Sequence, residues 1–355
     1  MRSGGGKRGP AKVAAGTLIG LALGAPAGAQ PALGPAPRDG DGRFQNEAGA
    51  LARPGPGVML PFFLRRIGSS IFGRDGVRPP RVENDGAFLR ENALHSVPTV
   101  TWIGHSTLLV QLDHVTFLTD PIWSHWASPV PGLGPHRLVG HGLALDALPQ
   151  IDFVLISHDH YDHLDLPTLR ALAARSEATR FFVPLGNAEL LRGAGIERVE
   201  ELDWGGTAQH ESVTIHCLPA QHWSRRGTFD ERRALWSAWA VTGPGRRFYF
   251  TGDSGYFDGF ARTGAELGPF DLAAVPIGAY RPEALMRPAH LDPEEAVRAG
   301  QDLGAQKLVA IHFGTFDLAD EPLGEPPVRF REAARASGVA DEDAWILAIG
   351  ETRRF

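Results

Sequence analysis

Ile151-Asp152-Phe153-Val154-Leu155-Ile156 runs straight into Ser157-His158-Asp159-His160-Tyr161-Asp162-His163-Leu164-Asp165, an HxHxDH pattern on the heels of an apolar run. A regular strand or helix cannot aim His158, His160, Asp162 and His163 one way, so the pattern belongs on a tight loop leaving a strand. Neutral imidazoles and a carboxylate at this density suit two borderline cations such as zinc, with two ligands on each. A lone histidine is more often a satisfied polar group. Four ligand-competent side chains this close together at a strand end predict a dinuclear site.

Three further stretches deliver one such residue each. Val213-Thr214-Ile215-His216-Cys217-Leu218 alternates apolar and polar, breaks at Pro219 and ends on His222. Arg247-Phe248-Tyr249-Phe250 leads through Thr251-Gly252 to Asp253, and Leu308-Val309-Ala310-Ile311 leads to His312. Strand ends can share one sheet edge, where ligand sites collect. The expected first ion is held by His158, His160 and His222, and the second by Asp162, His163 and His312. Asp253 bridges them, one oxygen facing each cation. Two zinc ions per chain would lower the pKa of a shared water to about 7 and make it the nucleophile.

The remaining body reads as strands at Val100 to Ile103, Thr107 to Leu112, Val115 to Leu118, Arg180 to Pro184 and Val199 to Leu202. Asp113-His114 joins two of these as a hairpin. Helices are expected at Leu169, at Ala188 to Arg192, at Pro293 and at Phe330, with Asp165 an N-cap. No repeat of 20 to 50 residues is visible, so solenoids and propellers are unfavoured. Two mixed sheets facing each other, with helices outside, is the expected α+β architecture.

The chain has 355 residues, 43% hydrophobic and 21% charged, with a formal net charge of -6. Without a long Lys or Arg run, phosphate neutralisation gives no reason to expect a nucleic-acid partner. Arg2, Lys7, Arg8 and Lys12, the apolar stretch Val13 to Leu23 and Ala27-Gly28-Ala29 together predict a signal peptide over 1–29. The expected location is therefore exported, periplasmic or membrane-associated. Cys217 is the only cysteine, so core and metal must supply the stability. Residues 30–95 read as linker and extension, Pro- and Gly-rich to about 57 and expected to be flexible there. The domain proper spans 96–355. The apolar stretch Met59 to Phe72 either packs on the body or enters a lipid interface, and Pro61 argues against a long uninterrupted helix.

Beyond the loop itself, Thr101-Trp102-Ile103-Gly104-His105-Ser106, Leu118-Thr119-Asp120-Pro121-Ile122-Trp123, Glu201-Leu202-Asp203-Trp204, Gln221-His222-Trp223, Phe270 to Tyr280 and Asp292 to Val297 carry a family resemblance. From about Thr99 to Phe355 the chain resembles the metallo-β-lactamase superfamily, and within it the N-acylphosphatidylethanolamine-hydrolysing phospholipase D family. The resemblance implies an αββα four-layer sandwich, a phospholipid substrate, a membrane surface as partner and a homodimer. It places His290 beside the metals as a donor to a phosphoryl or leaving oxygen. Asp253, Asp162 and His290 are thus the expected catalytic residues. The implied reaction is zinc-dependent hydrolysis releasing N-acylethanolamine and phosphatidic acid. Another superfamily hydrolase (lactonase, thioesterase or other phosphodiesterase) and a non-catalytic metal-binding protein remain open. Arg225 and Arg226 read equally as phosphate partners or as solvated cations. His105 reads as a buried structural donor, His136 and Tyr280 are weaker candidates, and Trp204, Trp223, Trp236 and Trp239 either line a cleft or fill the core.

Overall fold

Among the described residues fourteen strands form two sheets, because the chain supplies short apolar runs whose alternate side chains bury in opposite directions. In chain order they are β1 (Thr99–Gly104), β2 (Thr107–Leu112), β3 (Val115–Thr119), β4 (Phe153–Leu155), β5 (Arg180–Pro184), β6 (Val199–Leu202), β7 (Thr207–His210), β8 (Val213–Leu218), β9 (Ala238–Thr242), β10 (Arg247–Phe250), β11 (Leu272–Pro276), β12 (Lys307–Ile311), β13 (Ala344–Trp345) and β14 (Thr352–Arg354). The structure is a computed structural model describing residues 1, 4–6, 33–51, 54–74, 76–130 and 132–355. Apart from residues 1 and 4–6, the expected signal peptide lies outside the described residues.

One sheet has the order β14-β1-β2-β3-β4-β5-β6 and the other β13-β12-β11-β10-β9-β8-β7. Each is antiparallel over part of its width and parallel over the rest. The expected hairpin is present: Leu112 pairs with Val115, and Asp113 and His114 both take positive φ, as a two-residue I′ turn requires. Alternation then sorts the side chains. Trp102, Val110, Phe117, Phe153 and Phe182 face Ile215, Trp239, Val241, Phe248 and Phe250 across the sandwich. Ile103, Leu109, Leu118, Val154 and Phe181 point the other way. There they meet Leu89 of α2 (Ala87–His95), Leu169 and Leu172 of α3 (Leu166–Arg175) and Leu191 of α4 (Ala188–Gly193). Phe117 stacks on Phe153 at 4.7 Å and meets Phe248 of the opposite sheet at 5.7 Å, so truncating it to Ala should cost about 3–5 kcal/mol.

Phe260 of α5 (Gly259–Leu267), Val297 of α7 (Pro293–Asp302) and Phe330 of α8 (Glu325–Ala336) cover the second sheet. A short α6 (Glu283–Met286) precedes α7. The capping box expected at Asp292 and Glu295 forms, with Glu295 N–H donating to Asp292 Oδ1 at 2.8 Å. Asp165 holds the N-cap position of α3, but its carboxylate accepts from Ser124 and from the Thr168 hydroxyl instead of from a backbone N–H of the helix.

Two expectations about the N-terminal region need correction. The segment read as flexible linker is docked where it is described: Phe44 is 1% exposed within the main core, its N–H donates to Arg232 O, and Ala36 N–H donates to Asp203. Composition averages over residues, whereas one buried phenylalanine and a few backbone bonds suffice to hold a strap. Pro61 does not interrupt its helix either. α1 (Pro56–Phe72) runs through it, and the one forfeited backbone bond lies near the helix start.

Candidate metal centre

Four strand ends converge as their sequences imply. β4 feeds the 157–165 loop, β8 leads to His222, β10 to Asp253 and β12 to His312. Gly252 turns the chain between β10 and Asp253 at φ +62, where an added Cβ would sit 2.6 Å from Ser157 Cβ, so only glycine fits. His312 and His105 also take positive φ, 60 and 54, unusual for side chains of their bulk and here serving to aim two rings inward from the sheet edge.

The ring nitrogens fall into two groups. His158 Nε2 and His222 Nε2 lie 2.8 and 3.2 Å from His160 Nδ1. Two nitrogens on one tetrahedral zinc would be roughly 3.3 Å apart, from Zn–N near 2.0–2.1 Å, so this triangle has the size of a cation site. In the second group His163 Nε2 lies 3.3 Å from Asp162 Oδ2 and from Asp253 Oδ2, and His312 Nε2 lies 3.2 Å from Asp253 Oδ1. Asp253 stands between the groups, with Oδ2 3.8 Å from His222 Nε2. His163 Nε2, His312 Nε2 and Asp253 Oδ1 are buried without a hydrogen-bond partner. Buried nitrogens and a carboxylate oxygen aimed at one another at these spacings fit a cation held between them.

The outer nitrogens of His163, His222 and His158 are fixed by partners. His163 Nδ1 reaches Asp120 at 2.7 Å, His222 Nδ1 reaches Ala289 O at 2.9 Å, and His158 Nδ1 reaches Ser157 Oγ, which itself donates to Asp120. Each bond fixes the tautomer that leaves Nε2 a lone pair for a metal.

Burial holds His158 and His222 well below the ordinary imidazole range and His160 at about 4, so all three are neutral at pH 7. For His312 burial is outweighed by Asp253 and Asp162, which lift it to about 9, and His163 is raised for the same reason. Burial would raise both carboxylates, but the facing histidines pull Asp162 and Asp253 well down.

His290 Nδ1 lies 3.6 Å from Asp253 Oδ2, buried and without a partner. It is close enough to act on anything bound at Asp253 and to count as a possible ligand. His105, read as a structural donor, is fully inside the second group, with Nε2 3.0 Å from Asp162 Oδ2. Asp120 and Asn46 were not singled out from sequence at all. A strand-end Asp-Pro was the only available sign of the first, and Asn46 sits in what reads as linker. Arg226 is spoken for by the carbonyls of Asp159 and Leu164 and by the face of Tyr161, whereas Arg225 lines the cleft. Tyr280 gives its hydroxyl to Glu325, and His136 lies against Trp126. Trp204, Trp236 and Trp239 are core; Trp223 is at the cleft.

That cleft, of about 970 Å³, opens on His160, Asp162, His222, Asp253, His290 and His312. Its other walls are largely apolar: Leu51, Met59, Phe62, Phe63, Trp223, Leu285, Met286 and Leu318.

Residues 116–313 match the family model described as the Beta-lactamase superfamily domain. Over 245 residues the chain is 46% identical to an uncharacterized protein of Mycobacterium bovis, covering 68% of this chain and 65% of that one, so about a third of the relative has no counterpart in the match. Over 243 residues it is 43% identical to N-acyl-phosphatidylethanolamine-hydrolyzing phospholipase D 1 of Caenorhabditis elegans, covering 65% of this chain and 68% of that one. The crystal structure of a possible metal-dependent hydrolase from Veillonella parvula superposes with a TM-score of 0.59 over 73% of this chain and all of that one, at 16% identity. This last likeness is one of fold.

Proposed function

The chain belongs to the beta-lactamase superfamily, and from that membership we propose a two-zinc hydrolase of phospholipase D type that cleaves N-acylphosphatidylethanolamine-like lipids to N-acylethanolamine and phosphatidic acid. The observation that carries this reading is the seven-residue cluster His158, His160, Asp162, His163, His222, Asp253 and His312 opening on a largely apolar cleft. The first, second and fifth would hold one ion, Asp162, His163 and His312 the other, and Asp253 both. The pair of ions supplies an acidified water and charge neutralisation at phosphorus.

The chain's own residues do the rest. His290, neutral because burial holds it at about 4, offers a ring nitrogen to a phosphoryl or leaving oxygen beside Asp253. Arg225 lines the cleft with its Nε donating to Gly227 O, which leaves its terminal guanidinium nitrogens to meet a phosphate oxygen. Apolar walls suit acyl chains better than a nucleotide. The similarity to the worm phospholipase supports that substrate class.

A two-chained lipid must be met at a bilayer, and Leu60, Phe63, Leu64 and Ile67 of α1, each more than half exposed, form a stripe spaced i, i+3, i+4, i+7, of which Phe63 also lines the cleft. We assign that stripe to the membrane surface, and propose export behind the 1–29 leader and assembly as a homodimer. Among the described residues no helix is long and apolar enough to cross a membrane.

The test is elemental analysis of purified protein beside a product assay on phospholipids, lactones, thioesters and nucleotide diesters. Two zinc ions and N-acylethanolamine release are expected. Turnover confined to a lactone or thioester would overturn the phospholipase reading while leaving the metal centre standing.

A further inference from the structure

We propose that Asn46 is a positioning residue for His222, so that the strap ahead of the sandwich completes the metal centre; this rests on the reading of His222 as a ligand. Asn46 is 4% exposed. Its Nδ2 donates to His222 O at 2.9 Å, and its Oδ1 accepts from His222 N–H at 2.9 Å and from the Trp236 indole N–H at 3.0 Å. Both groups facing Oδ1 can only donate, and the carbonyl facing Nδ2 can only accept, so the amide has one possible orientation.

The side chain therefore behaves as a strand partner for a residue that has left its strand. β8 ends at Leu218, Pro219 removes a donor just after it, and an isolated bridge of Gln221 with Gly255 is the last strand-like pairing, so the His222 N–H and C=O lie just beyond the sheet ladder. Asn46 replaces it. The ring is fixed separately by Ala289 O, so backbone and imidazole orientation have different sources.

The strap is held firmly enough to act in this way. Phe44 is buried in the core and its N–H bonds Arg232 O; Ala36 N–H bonds Asp203 Oδ1 at 3.0 Å; Glu47 pairs with Arg262. Asn46 faces the cleft and Ala50 and Leu51 continue its wall, so the same segment sets a ligand and shapes the substrate space. The strap residues themselves, Ala36 to Leu51, lie outside the matched residues 116–313.

Full-length wild type and four variants are titrated with zinc and with cobalt(II), following stoichiometry, affinity, the cobalt ligand-field spectrum and Tm. Asn46→Asp keeps the shape and both acceptor contacts but sets an oxygen against the His222 carbonyl. It should weaken one ion roughly 10- to 100-fold, the range for outer partners of metal ligands, and shift the cobalt bands, leaving the other ion within about twofold. Asn46→Ala should act in the same direction, and Asn46→Asp decides the matter should the alanine variant fail to fold. His222→Ala should lose that same ion. Val241→Ala, in the core far from the strap in sequence, should lower Tm with both affinities kept. Wild-type affinities and bands in Asn46→Asp would overturn the proposal while His222→Ala still upholds the metal centre. Equal weakening in Val241→Ala would also overturn it, by reducing the effect to general loosening. A wild type indifferent to His222→Ala would overturn the ligand reading and the positioning role with it.

Discussion

Asp253 approaches His312 at 3.2 Å, His163 at 3.3 Å, His290 at 3.6 Å and His222 at 3.8 Å, so its carboxylate borders both halves of the cluster. Loss of an outer partner of a metal ligand costs about 10- to 100-fold, and loss of a shared ligand should exceed that. Asp253→Ala should therefore bind fewer than two ions and lose at least about 100-fold in activity, with unchanged far-UV circular dichroism; two ions by elemental analysis would refute its bridging place. His290→Ala should lower turnover more than metal content, and loss of both in step would make it a ligand. Protons offer a third check. His312 titrates at about 9 in the metal-free protein, so below that pH it holds a proton that an ion must displace, while His160, at about 4, has none to give near neutrality. Calorimetry at pH 7.5 in buffers of different protonation enthalpy should show proton release for the ion beside His312 and His163, both raised by the facing carboxylates, and affinity there should rise with pH through neutrality. Heats independent of buffer would contradict it. The seven side chains that the structure brings together were legible because HxHxDH is local and the other three end strands. Asn46 and Asp120 were not, because their roles lie in partners 176 and 43 residues away.

Among the elements α1 is the one whose sequence left two readings, and the structure divides them by face. Phe62 is 7% exposed and packs inward; Leu60, Phe63, Leu64 and Ile67 are 51 to 60% exposed. The neighbouring arginines, which sequence would offer to anionic lipid, are committed: Arg66 pairs with Asp317 at 2.9 Å and Asp320 at 3.0 Å, and Arg65 with Asp320. Lipid attraction must then come mainly from the apolar stripe. A large apolar side chain contributes about 1.5–3 kcal/mol when fully buried, so even a third of that over four positions gives about 2–4 kcal/mol. Replacing Leu60, Phe63, Leu64 and Ile67 by Ser should weaken vesicle binding roughly 30-fold or more, since 1.4 kcal/mol is tenfold, while hydrolysis of a short-chain soluble diester and Tm change little. A large fall in Tm with vesicle binding intact would make the stripe a packing surface. The strands read from sequence, β1 to β6, β8, β10 and β12, match to within about two residues, because strands buried on both faces show as short apolar runs and β8 alternates, whereas β7, β9, β11, β13 and β14 were not singled out.

At the scale of the whole molecule the sandwich was readable but its closure was not. The chain's last strand, β14, returns to pair with β1, with Thr99 opposite Arg354, and no local pattern announces a partner 255 residues away. The same holds for the strap, whose composition hides a buried phenylalanine. The metal centre joins these distant parts: His158, His160, Asp162 and His163 leave the first sheet, while His222, Asp253 and His312 leave the second. An ion bound across both is a cross-link between the sheets, and binding confined to the folded state adds about 2.7 kcal/mol for each ion present at 100 times its Kd. Two ions would add about 5 kcal/mol, and because the unfolding entropy grows with length each kcal/mol moves Tm by roughly 1.3 °C for a chain this size, so Tm should fall by about 7 °C on full chelation. Readdition of zinc should restore it in two steps as the sites fill. Asp253→Ala should show little of this chelator sensitivity, since the carboxylate that ties the two groups together is gone. Should chelated and zinc-loaded wild type melt at the same temperature, the ions would bind without coupling the sheets, and the orphaned nitrogens at their junction would need another explanation.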